Sequence, residues 1–141
     1  MKMKTFALLI AGLFLITTLS VFTTVNTKAS YPQPQIEVWI TSVGHYTTHD
    51  ISGWHVHLDV SGDSNNGGWG NLYLWYRKSM ADTWHLSDDE AGCPGTLYET
   101  LNYDDQGSYT IFLKLQLGNS GPLYFSDVYE YPITLSLSSN N

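Results

Sequence analysis

The chain has 141 residues, of which 43% are hydrophobic and 14% aromatic, and it carries 13 acidic against six basic side chains. A net charge of −7 argues against a nucleic-acid-binding surface, and it disfavours binding to anionic membranes. The single cysteine, Cys93, excludes an intrachain disulfide. Cationic ligands, metal ions and neutral glycans remain as ligand classes.

The first 29 residues have the pattern of a secretory signal peptide. Lys2 and Lys4 precede an apolar run over residues 6–22, and a polar stretch then ends at Ala29. We expect cleavage after Ala29, which leaves residues 30–141 as one domain of a secreted or cell-surface protein. An uncleaved anchor is the alternative, although the run is short for a membrane-spanning helix. Cleavage would remove three of the six basic residues and no acidic one, so the mature net charge would be −10.

The rest of the chain consists of short alternating runs separated by Gly, Asn, Asp and Pro. No run has the period of a helix. The alternation predicts strands over residues 36–43, 54–60, 72–78, 83–86, 96–101, 109–117 and 128–137, with a polar loop over 88–95. Within the second strand, Trp54, Val56, Leu58 and Val60 are predicted to point inward. Seven or eight strands without a helix predict an all-β, two-sheet antiparallel sandwich.

The most regular strand follows the turn Asp105-Gln106-Gly107-Ser108-Tyr109. From Tyr109 to Leu117 every second side chain is large and apolar, which is the pattern of a half-buried strand. A tyrosine at the start of such a strand is typical of a tyrosine corner. We therefore expect the Tyr109 hydroxyl to bond the backbone of the preceding loop.

Several of these segments resemble known sandwich families. Residues 56–64, with the following Asn/Gly loop and a strand that carries Trp75, resemble the second and third strands of a PKD domain. Residues 107–111 resemble the sixth strand of that family, and residues 133–137 its last. Residues 75–78 (WYRK) are similar to the third strand of immunoglobulin-like and fibronectin type III domains. The resemblance implies an immunoglobulin-like sandwich that serves in adhesion, spacing or glycan binding.

Four polar residues are predicted to share an outer sheet face. His55, His57 and Asp59 alternate along one strand, so they project from the same face about 7 Å apart. Antiparallel pairing with the first strand, with apolar residues kept inward, adds Glu37 to this face. Imidazole and carboxylate ligands suit zinc or copper. The alternative is a solvated face that binds no metal.

Oxygen-bearing side chains near the ends of the sandwich are candidate calcium ligands. We place His45, His49 and Asp50 in the first connection, at the same end as Asp104 and Asp105. A second group comprises Asp63, Asn65 and Asn66. The alternative for both groups is an ordinary solvated turn.

The third predicted strand has two open registers. In one register Trp75 points into the core, and Leu74, Tyr76 and Phe112 form an apolar outer patch. In the other register the leucines are buried, and Tyr73 and Trp75 face outward. In both, aromatic rings reach the surface, where they are suited to protein or glycan contact.

Trp69 is the strongest candidate for a contact residue, because it lies between glycines in a loop with little nearby to bury it. No His-Glu-x-x-His or Gly-x-Ser-x-Gly motif is present, so we expect no enzymatic activity. We expect a monomeric recognition or adhesion module without a cofactor, which binds an extracellular protein or glycan through surface aromatics. The alternatives are a small secreted protein that binds zinc or calcium, and a secreted inhibitor or effector.

Overall fold

The structure is a computed structural model, and it describes residues 35–118 and 121–137. The predicted leader, residues 1–29, lies outside the described residues. Within the described part of the chain all regular elements are β strands, and no helix there is long and apolar enough to span a bilayer. The prediction of an all-β fold is confirmed. The strands are β1 Val38–Asp50, β2 Gly53–Ser64, β3 Asn71–Arg77, β4 His85–Gly92, β5 Gly95–Tyr103, β6 Gly107–Leu117, β7 Tyr124–Phe125 and β8 Tyr129–Leu135.

The strands form two antiparallel sheets, a sandwich compatible with an immunoglobulin-like fold. One sheet has three strands in the order β1-β2-β5, and the other has five, with β4-β3-β6 followed by β7 and β8, which both pair with β6. β7 and β8 pair with successive stretches of β6, so they form one interrupted edge strand. Ser126 bridges the interruption, because its N–H donates to the Leu115 carbonyl and its hydroxyl accepts from the Leu115 N–H, both at 2.8 Å.

The core lies between the sheets and is built from the alternating residues of β2, β3 and β6. Their inward side chains are the apolar ones predicted for β2 and β6, and all are at most 6% exposed apart from the partly buried Tyr109. Full burial of one Val, Leu or Ile side chain contributes roughly 1.5–3 kcal/mol. The inward set is Trp54, Val56, Leu58, Val60, Leu72, Leu74, Tyr109, Ile111, Leu113, Leu115 and Leu117.

β3 adopts the register that buries its leucines. Leu72 and Leu74 are fully buried, whereas Trp75 lies on the outer face. The expectation of an outer patch with Leu74 is therefore wrong. Leucine has no polar group to satisfy inside, whereas the Trp75 indole N–H donates to the Gln116 side-chain oxygen at 2.7 Å on the outer face.

Two strands are longer than the sequence pattern predicts. β1 continues to Asp50, so His45, His49 and Asp50 belong to the strand and not to a connection. The predicted loop over 88–95 is also wrong, because β4 extends to Gly92. Pairing with a neighbour explains both: β2 supplies partners along β1, and β3 supplies them along β4. Polar side chains are tolerated at these edge strands, where one face meets solvent.

The tyrosine corner is present. The Tyr109 hydroxyl donates to the Asp105 carbonyl at 2.8 Å, four residues back along the chain. The Tyr109 ring also packs against the Tyr103 ring, with centroids 4.4 Å apart. This contact fixes the β5–β6 connection at the end of the sandwich, as predicted.

Candidate recognition surfaces

The loop between β2 and β3 presents Trp69 on a fixed backbone. Gly67, Gly68 and Gly70 have φ of 78°, 84° and 92°, a region that strongly favours glycine. The Asn66 side-chain oxygen accepts the Gly68 and Trp69 N–H groups at 3.2 and 3.3 Å, and its amide donates back to the Trp69 carbonyl at 2.5 Å. The Trp69 side chain is 78% exposed. The loop therefore holds a large ring in solvent, as predicted.

The base of this loop is anchored to the sandwich. The Ser64 hydroxyl donates to Asn66 at 2.6 Å and lies 3.1 Å from the Cys93 sulfur. Cys93 is a buried free thiol, and it packs with the core. The Asn65 side-chain oxygen accepts the Glu37 N–H at 2.8 Å. The amide oxygens predicted as calcium ligands here are thus engaged in protein hydrogen bonds.

The outer face of the three-stranded sheet carries the predicted histidines. His55, His57 and Asp59 do share this face, because Val56 and Leu58 between them are buried. The His57 ring lies against the Tyr46 ring, with centroids 4.4 Å apart and planes inclined by 14°. The two His57 ring nitrogens lie 3.0 Å from the Thr100 hydroxyl and 3.1 Å from the Thr48 hydroxyl. Both nitrogens are therefore engaged by side chains.

The four predicted zinc ligands are not brought together. Glu37 lies opposite Asn65, which is eight residues along β2 from His57, or about 26 Å at the rise of a strand. Among the described residues, no group of three His, Cys, Asp or Glu side chains is placed to hold a metal ion. The prediction failed because it assumed a short first strand, whereas β1 extends along the whole of β2.

His55 belongs to a separate cluster at the β1–β2 turn. Asp50 accepts the hydroxyl and the N–H of Ser52 at 2.6 and 2.8 Å, and these bonds, followed by the one from the His55 Nε2 at 3.2 Å, lower its pKa to about 2. The other His55 nitrogen donates to the Asn102 side-chain oxygen at 2.6 Å, and this bond, followed by the one to Asp50, raises the His55 pKa. Ser52, His55 and Asn102 have the residue types of a hydrolase triad. The Ser52 hydroxyl donates to Asp50 at 2.6 Å and also lies 3.1 Å from the His55 Nε2, and these contacts tie the exposed β1–β2 turn together.

A groove crosses the outer face of the three-stranded sheet beside β4. Its volume is 750 Å³, within the range of small-ligand sites. Tyr46 and Tyr98 line it, and each side chain is 64% exposed. The edge is closed by Asp89, whose carboxylate accepts the Tyr98 N–H at 2.7 Å. The groove also contains four carboxylates, from Asp59, Asp88, Asp89 and Glu99, and no Lys or Arg lines it.

A bulge in β1 determines which of its aromatics face this side. Trp39 and Tyr46 are seven residues apart, and in a regular strand an odd separation places side chains on opposite faces. The pairing with β2 shifts by one residue between Ile40 and Ser42, so Trp39 lies opposite Asp63 and Tyr46 opposite His57. Both side chains therefore face outward.

The outer face of the five-stranded sheet has a different chemistry. Arg77 lies over the Trp84 and Phe112 rings, with its guanidinium 4.7 and 5.1 Å from their centroids. The Lys114 ammonium lies 4.3 Å from the Trp84 centroid and 5.0 Å from that of Phe125. Neither cation pairs with a carboxylate in the described part of the chain. We call this group, Arg77, Trp84, Phe112, Lys114 and Phe125, the cation–aromatic layer.

The four predicted contact residues differ in how far their side chains are exposed. Trp69 is exposed, as expected. Leu74 is in the core, and Tyr76 points inward, where its ring packs at 5.5 Å from the His85 ring. Phe112 faces outward but is only 7% exposed, because Arg77 lies over it. The patch predicted from Leu74, Tyr76 and Phe112 does not form.

No family model, curated protein or solved structure matches the chain. The functional argument therefore depends on the surfaces themselves. Sequence reasoning missed Tyr46 and Tyr98 as surface aromatics. In the predicted strand over residues 96–101, Leu97 and Leu101 point to one face, so the alternation places Tyr98 on the opposite, outer face. Tyr46 has no such signal, because the sequence pattern places it in a connection.

Proposed function

We propose that this protein is a secreted, non-enzymatic recognition module, acting in adhesion or surface recognition, which contacts an extracellular partner through exposed aromatic side chains. The observation that carries the proposal is the exposed Trp69 ring on a loop with a fixed backbone. Because the loop is already ordered, little conformational entropy is lost when a partner covers the ring.

Trp69 is suited to be an anchor residue. Trp is enriched among the residues that dominate binding energy at interfaces, and a solvent-exposed ring has most of its area left to bury. The ring is amphipathic, so it serves both for packing on a protein and for stacking on a sugar. The net charge of −7 favours neutral or basic partners over anionic ones.

The strand order supports a fibronectin type III-like or PKD-like relationship within the immunoglobulin-like class. In constant-type immunoglobulin domains the fourth strand lies beside the fifth, whereas here β4 pairs with β3. Domains of this class serve mainly in adhesion and recognition, which is an argument from fold analogy alone. We also propose that residues 1–29 are a cleaved leader and that the protein acts outside the cell.

The test is a comparison of Trp69→Ala with wild type on an array of glycans and on immobilised extracellular proteins. A ligand bound by wild type should lose at least about 2 kcal/mol of binding free energy in Trp69→Ala, as an anchor residue does. The free energy of unfolding should change by no more than about 0.5 kcal/mol, since the side chain is exposed.

Ile51→Ala provides the matched control, because Ile51 is a fully exposed apolar residue at the β1–β2 turn. It should leave binding unchanged. If Trp69→Ala retains the affinity of wild type for each ligand found, the contact lies elsewhere and the proposal for Trp69 is wrong. Unfolding of Trp69→Ala would instead show that the ring is part of the core.

A further inference from the structure

The groove on the three-stranded sheet has the features of a second binding surface, distinct from the Trp69 loop. Tyr46 on β1 and Tyr98 on β5 flank β2, where they lie opposite His57 and Asp59 respectively. At the spacing of strands and residues in a sheet, their Cα atoms are about 12 Å apart. Two exposed rings therefore stand on either side of a polar floor.

The ring of Tyr46 is held in place before any ligand arrives. It lies nearly parallel to the His57 ring at 4.4 Å, and His57 is itself fixed by hydrogen bonds to Thr48 and Thr100 at 3.1 and 3.0 Å. Despite this contact the Tyr46 side chain is 64% exposed. The His57 ring covers one face of the Tyr46 ring, so the other face and the edge of this rigid, exposed ring remain for contact with a flat, weakly polar ligand face.

The floor between the rings both donates and accepts hydrogen bonds. Thr100 carries a hydroxyl, which also lies 3.0 Å from a His57 ring nitrogen, and Asp59 carries an exposed carboxylate. Sugar hydroxyls also donate and accept, and hydroxyl donors to carboxylates form the shorter, stronger class of hydrogen bond.

The charge of the groove limits the class of ligand further. Four carboxylates line it, and no Lys or Arg does, so uronic acids, sialic acids and sulfated sugars would be repelled. The carboxylates do not converge on a point, because no three acidic or imidazole side chains in the described residues are placed to share a metal ion. A bound metal ion is thus not the expected occupant.

We propose that this groove binds a short neutral oligosaccharide, with the Tyr46 and Tyr98 rings stacking on its sugar faces and Asp59 accepting from its hydroxyls. The inference goes beyond the proposed function, because it concerns a different surface and names the ligand class. It also does not depend on Trp69.

The experiment is a titration of the full protein with trisaccharides of glucose, mannose, galactose, xylose and N-acetylglucosamine, followed by NMR or calorimetry. Sialylated and sulfated trisaccharides and trilysine are the comparison ligands. At least one neutral trisaccharide should bind, and Tyr46→Ala and Tyr98→Ala should each weaken that binding by at least about tenfold. Tyr46→Phe should retain it, since the stacking ring remains.

A further variant displaces the carboxylate without changing any groove side chain directly. A Cβ at Gly44 would stand 2.9 Å from one Asp59 carboxylate oxygen and closer still to the other, so Gly44→Ala must move that carboxylate. This variant should also weaken binding, while Trp69→Ala should bind within about twofold of wild type. Thermal unfolding of each variant identifies any that fails to fold.

Several results would overturn the inference. These are the absence of binding to all five neutral trisaccharides, binding of trilysine or anionic sugars alone, and unchanged affinity in both folded tyrosine variants. If Trp69→Ala abolishes sugar binding while the tyrosine variants retain it, the sugar site lies on the Trp69 loop. That result would support the proposed function and contradict this inference, so the two are separable.

Discussion

Aromatic rings lie on the outer faces of both sheets, but basic side chains lie over them on only one of the two. On the five-stranded sheet, Arg77 and Lys114 cover the aromatic rings of the cation–aromatic layer, and Phe112 is only 7% exposed. On the three-stranded sheet no Lys or Arg is present, and Tyr46 and Tyr98 are each 64% exposed. A cation over an aromatic ring therefore limits the exposure of that ring on this face, most at Phe112 and least at Phe125, which remains 46% exposed beside Lys114.

The difference follows from where the few basic residues lie. The described residues contain three, Arg77, Lys78 and Lys114, and each lies over an aromatic ring. Their long aliphatic stems cover apolar area while the charge remains near water. The acidic side chains are left to the rest of the surface, including the groove. Charge segregation therefore gives one face on which basic side chains lie over the aromatic rings and one face on which they do not.

The largest expected effect tests the register of β3, on which the comparison depends. Leu74→Ala should lower the free energy of unfolding by about 2–5 kcal/mol, because it leaves a cavity at a fully buried position. Tyr98→Ala, at an exposed position, should change it by no more than about 0.5 kcal/mol. Chemical denaturation measures both. A cost below about 1 kcal/mol for Leu74→Ala would favour the opposite register.

The next effect concerns the cation–aromatic layer. Trp84→Ala should destabilise the fold by about 1–3 kcal/mol, since it removes apolar contact and two cation–ring interactions at once. A double-mutant cycle with Lys114→Met isolates the part due to the lysine charge. A coupling energy of zero would mean that Lys114 does not contact the ring in solution.

A smaller effect separates two neighbouring tyrosines. Tyr109→Phe should cost about 0.5–1.5 kcal/mol, because it removes the hydrogen bond to the Asp105 carbonyl. The Tyr103 hydroxyl is buried with no hydrogen-bond partner among the described residues, and burial raises its pKa to about 12. Tyr103→Phe should therefore be neutral or stabilising. Equal losses in the two variants would contradict this assignment.

The smallest effect is the pH dependence of the β1–β2 turn. The pKa of Asp50 is lowered from 3.8 to about 2, so its contribution is present above pH 3.8 and lost as pH falls toward 2. The pKa of His55 is raised above 6.5, so its contribution is present below pH 6.5 and lost as pH rises through the folded-state value. The melting-temperature difference between wild type and Asp50→Asn should be greatest between these limits.

An NMR titration of the His55 ring checks the cause of its shift. Asn102→Ala should return the His55 pKa toward its ordinary value, because the bond to Asn102 is the largest contribution. An unchanged titration in Asn102→Ala would show that this hydrogen bond is not formed in solution.

Strict alternation made β2 and β6 predictable, and the tyrosine corner followed from the residues around Tyr109. The register of β3 was not predictable, because Leu72, Tyr73, Leu74 and Trp75 are all apolar and either parity buries a plausible face. Trp69 was predictable because glycines flank it. These features depend on neighbours in sequence.

The features that the sequence did not predict depend on residues that are close in space but distant along the chain. The orientation of Tyr46 results from a bulge after Ile40, which a sequence pattern does not reveal. Phe112 is covered by Arg77, which comes from a different strand. The predicted zinc site failed for the same reason, since the long pairing of β1 with β2 separates Glu37 from His57.

The most direct test of the contrast between the faces is hydroxyl-radical footprinting of the free protein, with each aromatic ring normalised to its own rate in the unfolded chain. Tyr46, Tyr98 and Trp69 should be among the most reactive rings, whereas Phe112 should be strongly protected and the half-buried Trp84 should react more slowly than Tyr46. If Phe112 or Trp84 reacts as fast as Tyr46, the cation–aromatic layer is open in solution, and the distinction between a covered and an open face is contradicted.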